Sequence, residues 1–247
     1  MSSNRVPWYR RRLVGFDTET TGTDVETAQI VTASVVHYGG GQPTTVRSWV
    51  SDLDGAEIPP DATAIHGWTT EAARAQGRPA AEVVEEITTT LAEAADADRP
   101  VVVMNAPFDL TVLDRESRRH GVRPLINRAV PRVVDPRVLD KKVDPYRRGG
   151  RTLTDLCRHY VVGLENAHTA DADAVAACAI VWKLAIRHPW LGRLDLGVLH
   201  EDQARWAHRQ AVSLRAHFER TEGKEHLAGT VRTDWPLIPA PRTGTPW

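Results

Sequence analysis

Asp17 and Glu19 stand one residue apart at the end of a short apolar run, Leu13, Val14 and Phe16, in the stretch Leu13-Val14-Gly15-Phe16-Asp17-Thr18-Glu19-Thr20-Thr21-Gly22. The run reads as a buried strand closed by a threonine and glycine turn. Side chains two apart on a strand point to one face, so both carboxylates are aimed at one spot at the edge of a core. There they repel each other and resist loss of water, and a cation held between them relieves both penalties. An oxygen-only ligand set suits a hard ion such as Mg²⁺ or Mn²⁺ better than zinc. A lone Asp-x-Glu is also what an ordinary solvated strand end looks like, so the remaining acids must decide.

Two further acidic motifs fall where strand and helix ends bring them near the first. Asp109 lies in Asn105-Ala106-Pro107-Phe108-Asp109-Leu110, in the first turn of a helix that follows a fully apolar strand, Val101-Val102-Val103-Met104. His168 and Asp173 flank the start of a helix in His-Thr-Ala-Asp-Ala-Asp, so both can line one cleft. Each has a plainer explanation. A first-turn acid favours the positive end of its helix, and a single histidine is more often a surface or capping residue. Asp171 competes with Asp173, and the spacing favours Asp173.

The elements that must hold these groups are legible in outline. The spacing predicts strands over 29–36 and 45–50 joined through Gly39-Gly40-Gly41, which with the first strand make an antiparallel meander. A loop with one helical turn follows over 58–69, then a helix from Pro79 with Val83, Val84, Ile87 and Leu91 at helical spacing. After the helix that carries Asp109, which ends at Gly121, come a short strand over 133–135 and helices over 136–143, 152–160 and 169–186. Strands first, then strand–helix alternation, make an α/β layered domain over 10–190. Residues 191–247 form a C-terminal extension: one more helix over 198–219 and an extended tail carrying Pro236, Pro239, Pro241, Pro246, Trp235 and Trp247.

Composition excludes little. In the 247-residue chain, a hydrophobic fraction of 41% and a charged fraction of 26% are those of a soluble globular protein. No apolar run can span a bilayer, and the first residues do not lead into a signal-peptide core, so a cytoplasmic protein with no membrane partner is expected. Cys157 and Cys178 read as buried thiols of a reducing compartment. The net charge of -1 is neutral on a nucleic-acid partner, and Arg10-Arg11-Arg12, Arg118-Arg119, Lys141-Lys142 and Arg147-Arg148 with Arg151 are the local basic clusters.

The ordered set Phe-Asp-Thr-Glu-Thr-Thr-Gly, Asn-Ala-Pro-Phe-Asp and His-(four residues)-Asp resembles the three exonuclease motifs of the DEDD superfamily, and the histidine places it with the DEDDh subgroup. That subgroup includes the proofreading epsilon subunit of bacterial DNA polymerase III and ribonuclease T. The resemblance runs from about Leu13 to Trp182. It implies a ribonuclease H-like fold, a five-stranded mixed sheet of three antiparallel then parallel strands with helices on both faces. It implies two Mg²⁺ ions, with Mn²⁺ as a substitute, held by Asp17, Glu19, Asp109 and Asp173, and His168 as general base. It also implies Thr18, backbone groups near Thr20, and His66 of Ile65-His66-Gly67 at the free 3′ end, with Phe108 and Trp68 as stacking surfaces. Phe108 is equally readable as core and Trp68 as cover for its loop. Thr169 stands where the family often has glycine.

The implied activity is release of 5′-mononucleotides from single-stranded or frayed DNA 3′ ends. The alternatives are RNA trimming of the ribonuclease T or oligoribonuclease kind, and a non-catalytic binding module. A DNA polymerase or a second copy of the chain is a further partner, docked on the C-terminal helix and tail.

Overall fold

A computed structural model describes residues 6–164 and 167–240. Residues 1–5 and the expected tail residues Pro241, Pro246 and Trp247 lie outside them. Five strands, β1 (Arg12–Thr20), β2 (Ile30–Gly39), β3 (Thr45–Val50), β4 (Pro100–Val102) and β5 (Arg132–Val134), form one sheet in the order β3-β2-β1-β4-β5. β2 runs antiparallel to β1 and β3, whereas β4 is parallel to β1 and to β5. This is the mixed sheet that the strand reading and the family resemblance both predict.

The helices are α1 (Pro60–His66), α2 (Thr70–Gln76), α3 (Ala80–Asp96), α4 (Pro107–Arg119), α5 (Pro136–Val143), α6 (Leu153–Tyr160), α7 (Ala170–Arg187), α8 (Pro189–Gly192), α9 (Leu196–Glu219) and α10 (Glu225–Ala228). The stretch over 58–69, expected to be a loop with one turn, holds the whole of α1, and α2 follows directly after it where no element was expected. Proline opens α1, Gly67 closes it at φ 78°, and Thr69 caps α2 by accepting from the Ala72 N–H at 3.1 Å.

β1 divides its side chains between the two layers. Val14 and Phe16 join a core with Val83, Ile87 and Leu91 of α3 and Val112 and Leu113 of α4. Leu13 joins the opposite core with Leu139 of α5, Leu156 of α6, Ile180 and Leu184 of α7, and Leu199 and Trp206 of α9. Each such side chain contributes roughly 1.5–3 kcal/mol by leaving water. Gly15 shares the Leu13 face. A Cβ there would lie 2.7 Å from the Ala174 carbonyl oxygen and 2.9 Å from Cys178 Sγ, so α7 rests directly on the backbone of β1. Cys157 and Cys178 are free and buried, and burial pushes the Cys157 thiol up to about 11 and raises Cys178 as well, which makes both unreactive fillers.

α9 buries Leu196, Leu199, Gln203 and Trp206. Beyond it, Trp235 and Leu237 of the tail pack back against the body. Among the described residues no helix is long and apolar enough to cross a membrane.

Candidate active site

The carboxyl ends of β1, β4 and β5 meet at one edge of the sheet. β1 is where the parallel half meets the antiparallel hairpin, and connections leaving in different directions open a crevice there. Asp17 and Glu19 occupy that end of β1, and the pairing with β2 slips between Glu19 and Thr20. Both share the Gly15 face, toward α7. Because Gly15 lets α7 come close, the first turn of that helix delivers Asp173 to them. One carboxylate oxygen from each of Asp17, Glu19 and Asp173 lies within 4.8 Å of the others. Asp171, the competitor in the sequence, is exposed.

Asp109 arrives from the other layer. It is 4% exposed in the first turn of α4. Its Oδ1 accepts from the Thr18 N–H at 3.0 Å and the Thr18 hydroxyl at 2.7 Å. Thr18, expected at the nucleic acid, therefore has both of its donors on this carboxylate. Alternation along β1 thus sends residues 17 and 19 to α7 while residue 18 anchors an acid on α4.

Burial first, then the charges of Asp109, Asp173 and Glu19, raises the Asp17 carboxyl well above its ordinary range. Burial, then Asp173 and Asp109, lifts Glu19 to about 7. Asp109 also reaches about 7 through burial, although the Thr18 hydrogen bonds pull the other way. Asp173 is raised by burial against the opposing pull of the His168 N–H and ring, and its Oδ1 is buried without a hydrogen-bond partner. Four acids whose proton affinities are all raised and a carboxylate oxygen without a hydrogen-bond partner suit a cation, and the all-oxygen donor set suits a hard divalent one.

His168 is exposed at the start of α7, at φ 69°, and its N–H reaches the Asp173 carboxylate. Thr169, where glycine often stands in the family, adopts φ -118° and ψ 129°, open to any residue, so the departure is harmless to the backbone. His66 ends α1 and is buried. Its Nδ1 accepts from the Trp68 N–H at 3.1 Å, so Nε2 carries the proton, and that atom is buried with no hydrogen-bond partner. Burial lowers this imidazole's pKa, and the nearby Thr20 backbone partly offsets the fall. The Thr20 hydroxyl donates to the Gly22 carbonyl at 2.8 Å. Phe108 is half-buried against the α3–α4 core, and Trp68 packs on a small cluster with Leu53 and Ile58.

Two positions escaped the sequence reading of the site. Gly15 looked like one more member of an apolar run. Asp135, an acid near a strand end that the motifs do not require, is 1% exposed, and its carboxylate accepts from Asn105, Ala106, Arg137 and Val138 N–H groups and from the Trp235 indole. A polar residue directly after a strand and before proline was the only available signal.

Comparisons agree with this geometry. The model of the exonuclease family RNase_T matches residues 14–181. Escherichia coli exonuclease I, solved with a dT13 oligonucleotide, superposes with a TM-score of 0.63 at 19% identity, covering 83% of this chain and 46% of that one. Exonuclease I from Methylocaldum szegediense gives 0.59 at 18% identity, covering 83% and 45%. At such identity the likeness is one of fold, and the chain spans less than half the length of these structures. No curated protein matches the sequence.

Proposed function

The chain belongs to the RNase_T exonuclease family, and from that premise we propose that it is a metal-dependent 3′→5′ exonuclease releasing 5′-mononucleotides from single-stranded or frayed DNA. The observation that carries this reading is the convergence of Asp17, Glu19 and Asp173 within 4.8 Å, with Asp109 fastened beside them through Thr18. Those four acids would hold two Mg²⁺ ions, or Mn²⁺ in their place. Ions in such a site activate a water and stabilise the leaving oxygen of an in-line displacement.

The chain's own groups supply the rest. His168 stands at the rim beside Asp173, and its ring accepts the proton of the attacking water. Imidazole is the side chain whose ordinary titration range permits this near neutrality. The Asp173 carboxylate holds the imidazolium that results. His66 presents its Nε2–H beside Thr20, where it donates to the terminal nucleotide, and the open edge of Phe108 offers a stacking surface tolerant of any base. Exonuclease I with bound dT13 supports single-stranded DNA as the substrate.

A time course on matched 5′-labelled single-stranded DNA and RNA oligomers with Mg²⁺ tests the reading, with Asp17→Ala as control. A DNA ladder shortening from the 3′ end, absent in the variant, is expected. Faster cleavage of RNA would overturn the substrate, and no ladder with either Mg²⁺ or Mn²⁺ would overturn the activity.

A further inference from the structure

As far as residue 240, the tail after α10 lies against the body. It crosses the helix that carries Asp109. Trp235 packs on both cores, lies against the His200 ring at a centroid distance of 5.1 Å and a 45° tilt, and donates its indole N–H to Asp135 Oδ2 at 3.3 Å. Three residues on, the Ile238 N–H donates to Thr111 Oγ1 at 3.0 Å, a buried contact. The Ile238 and Pro239 carbonyls then accept from Arg115 Nη2 at 3.2 and 3.1 Å. Thr111 and Arg115 are one helical turn apart, so the strap runs along a single face of α4.

Its upper end meets the entry to that helix. The Asp135 carboxylate that takes the Trp235 N–H also takes the Asn105 and Ala106 N–H groups at 3.2 and 3.1 Å. Asn105 is held at φ 59°, a conformation few side chains favour, and Arg137 Nη1 donates to its side-chain oxygen at 2.8 Å. That turn aims the first turn of α4, and with it Asp109, at Thr18. The Asp135 N–H is fixed in turn by Gln203 of α9 at 2.8 Å.

We propose that the C-terminal strap, through Trp235 and Ile238, is a positioning element for Asp109, so that the extension is a working part of the metal site. This rests on the exonuclease reading above. Trp235 touches neither substrate nor cation. It acts through Asp135, the Asn105–Ala106 turn and α4. The alternative is that the strap is cladding, which stabilises the fold and leaves the site indifferent.

Trp235→Phe separates the two, since it keeps the ring and removes the N–H. In the full-length chain, calorimetric Mn²⁺ titration and single-strand cleavage should both show a loss. Mn²⁺ affinity and kcat are expected to fall roughly threefold to tenfold, less than the roughly 10–100-fold of groups that touch a metal ligand directly, with KM unchanged. Thr111→Val, which removes the acceptor for Ile238, should act in the same direction, and the double variant should fall short of the product because both loosen one strap. Trp190→Phe, a tryptophan on α8 away from the strap, is the control and should match wild type. Melting in EDTA is the second readout. Wild-type affinity and kcat in Trp235→Phe, whatever its melting temperature, would make the strap cladding and overturn the proposal. A wild-type chain that binds no Mn²⁺ would remove the site itself, and the inference with it.

Discussion

Asp140 on α5 and Asp17 on β1 are both carboxylates drawn out of water, and their surroundings differ completely. Asp140 is 0% exposed. Its Oδ2 receives Arg147 Nη2 at 3.0 Å and Arg151 Nε at 2.8 Å, while Oδ1 receives the Tyr160 hydroxyl at 2.8 Å. Asp17 faces three other acids, and burial with their charge drives its proton affinity up. Asp140 is matched by its own chain and ties the loop after α5 to α6. The Asp17 group is mismatched by its own chain, and a ligand of opposite charge would complete it. Burial alone does not distinguish architecture from chemistry. The presence or absence of a counter-charge does.

The largest break in this contrast should come from Asp17→Asn. Cleavage should fall at least about a thousandfold, as expected when several kcal/mol of cation-dependent stabilisation is lost. Melting in EDTA at pH 8 should be unchanged or higher, because one repelling charge is gone. A melting point well below wild type would mean that Asp17 is architectural after all. His168→Ala should keep Mn²⁺ binding and lose activity about a hundredfold or more. Turnover near wild type would remove the general-base assignment.

Asp140→Ala should do the opposite. It leaves Arg147 and Arg151 unpaired and should lower unfolding free energy by about 3–5 kcal/mol. Activity per folded molecule should stay within about twofold of wild type, since Asp140 is outside the cluster. Gly15→Ala should lie between the two classes. Its methyl meets the Ala174 carbonyl, so α7 must shift, which costs about 1–3 kcal/mol. It should also weaken Mn²⁺ binding, as Asp173 moves with the helix. A destabilised variant with wild-type affinity would show that α7 recovers its place.

The smallest effect is one of pH. Glu19 and Asp109 have folded-state values of about 7, above those of the unfolded chain. The folded, metal-free protein therefore holds more protons than the unfolded chain between about pH 4.5 and 7, and stability from this site falls as pH rises through that window. Mn²⁺ replaces the protons, so its stabilisation in thermal melts should be greater at pH 8 than at pH 5.5. An equal shift at both would argue against cation binding by these acids.

Much of this was readable beforehand because it depends on local rules. The i, i+2 alternation of a strand aligned Asp17 with Glu19, and the five-residue spacing separated Asp173 from Asp171. The antiparallel meander followed from consecutive apolar strands with tight connections, and the parallel half of the sheet from the family resemblance. What was hidden depends on contacts between distant residues. Nothing near Thr18 announces that its hydroxyl and N–H reach Asp109 on another element. Gly15 is notable only for the carbonyl of Ala174 above it. α1 and α2 are too short to show periodicity, and their caps were the only signal. The tail's prolines predicted an extended chain, which says nothing about the surface it lies on.

The division of β1 between two layers has a consequence for which lengths of chain the protein can tolerate. Residues 17 and 19 serve one layer and residue 18 the other, so the strand counts in twos. Adding or deleting one residue between Leu13 and Asp17 exchanges the two sets, turning acids into the α4 core and Thr18 toward α7. A pair of residues leaves the parity intact. The turn between β2 and β3, exposed at Gly40 and Gly41, lies outside this count and is where insertions should be accepted.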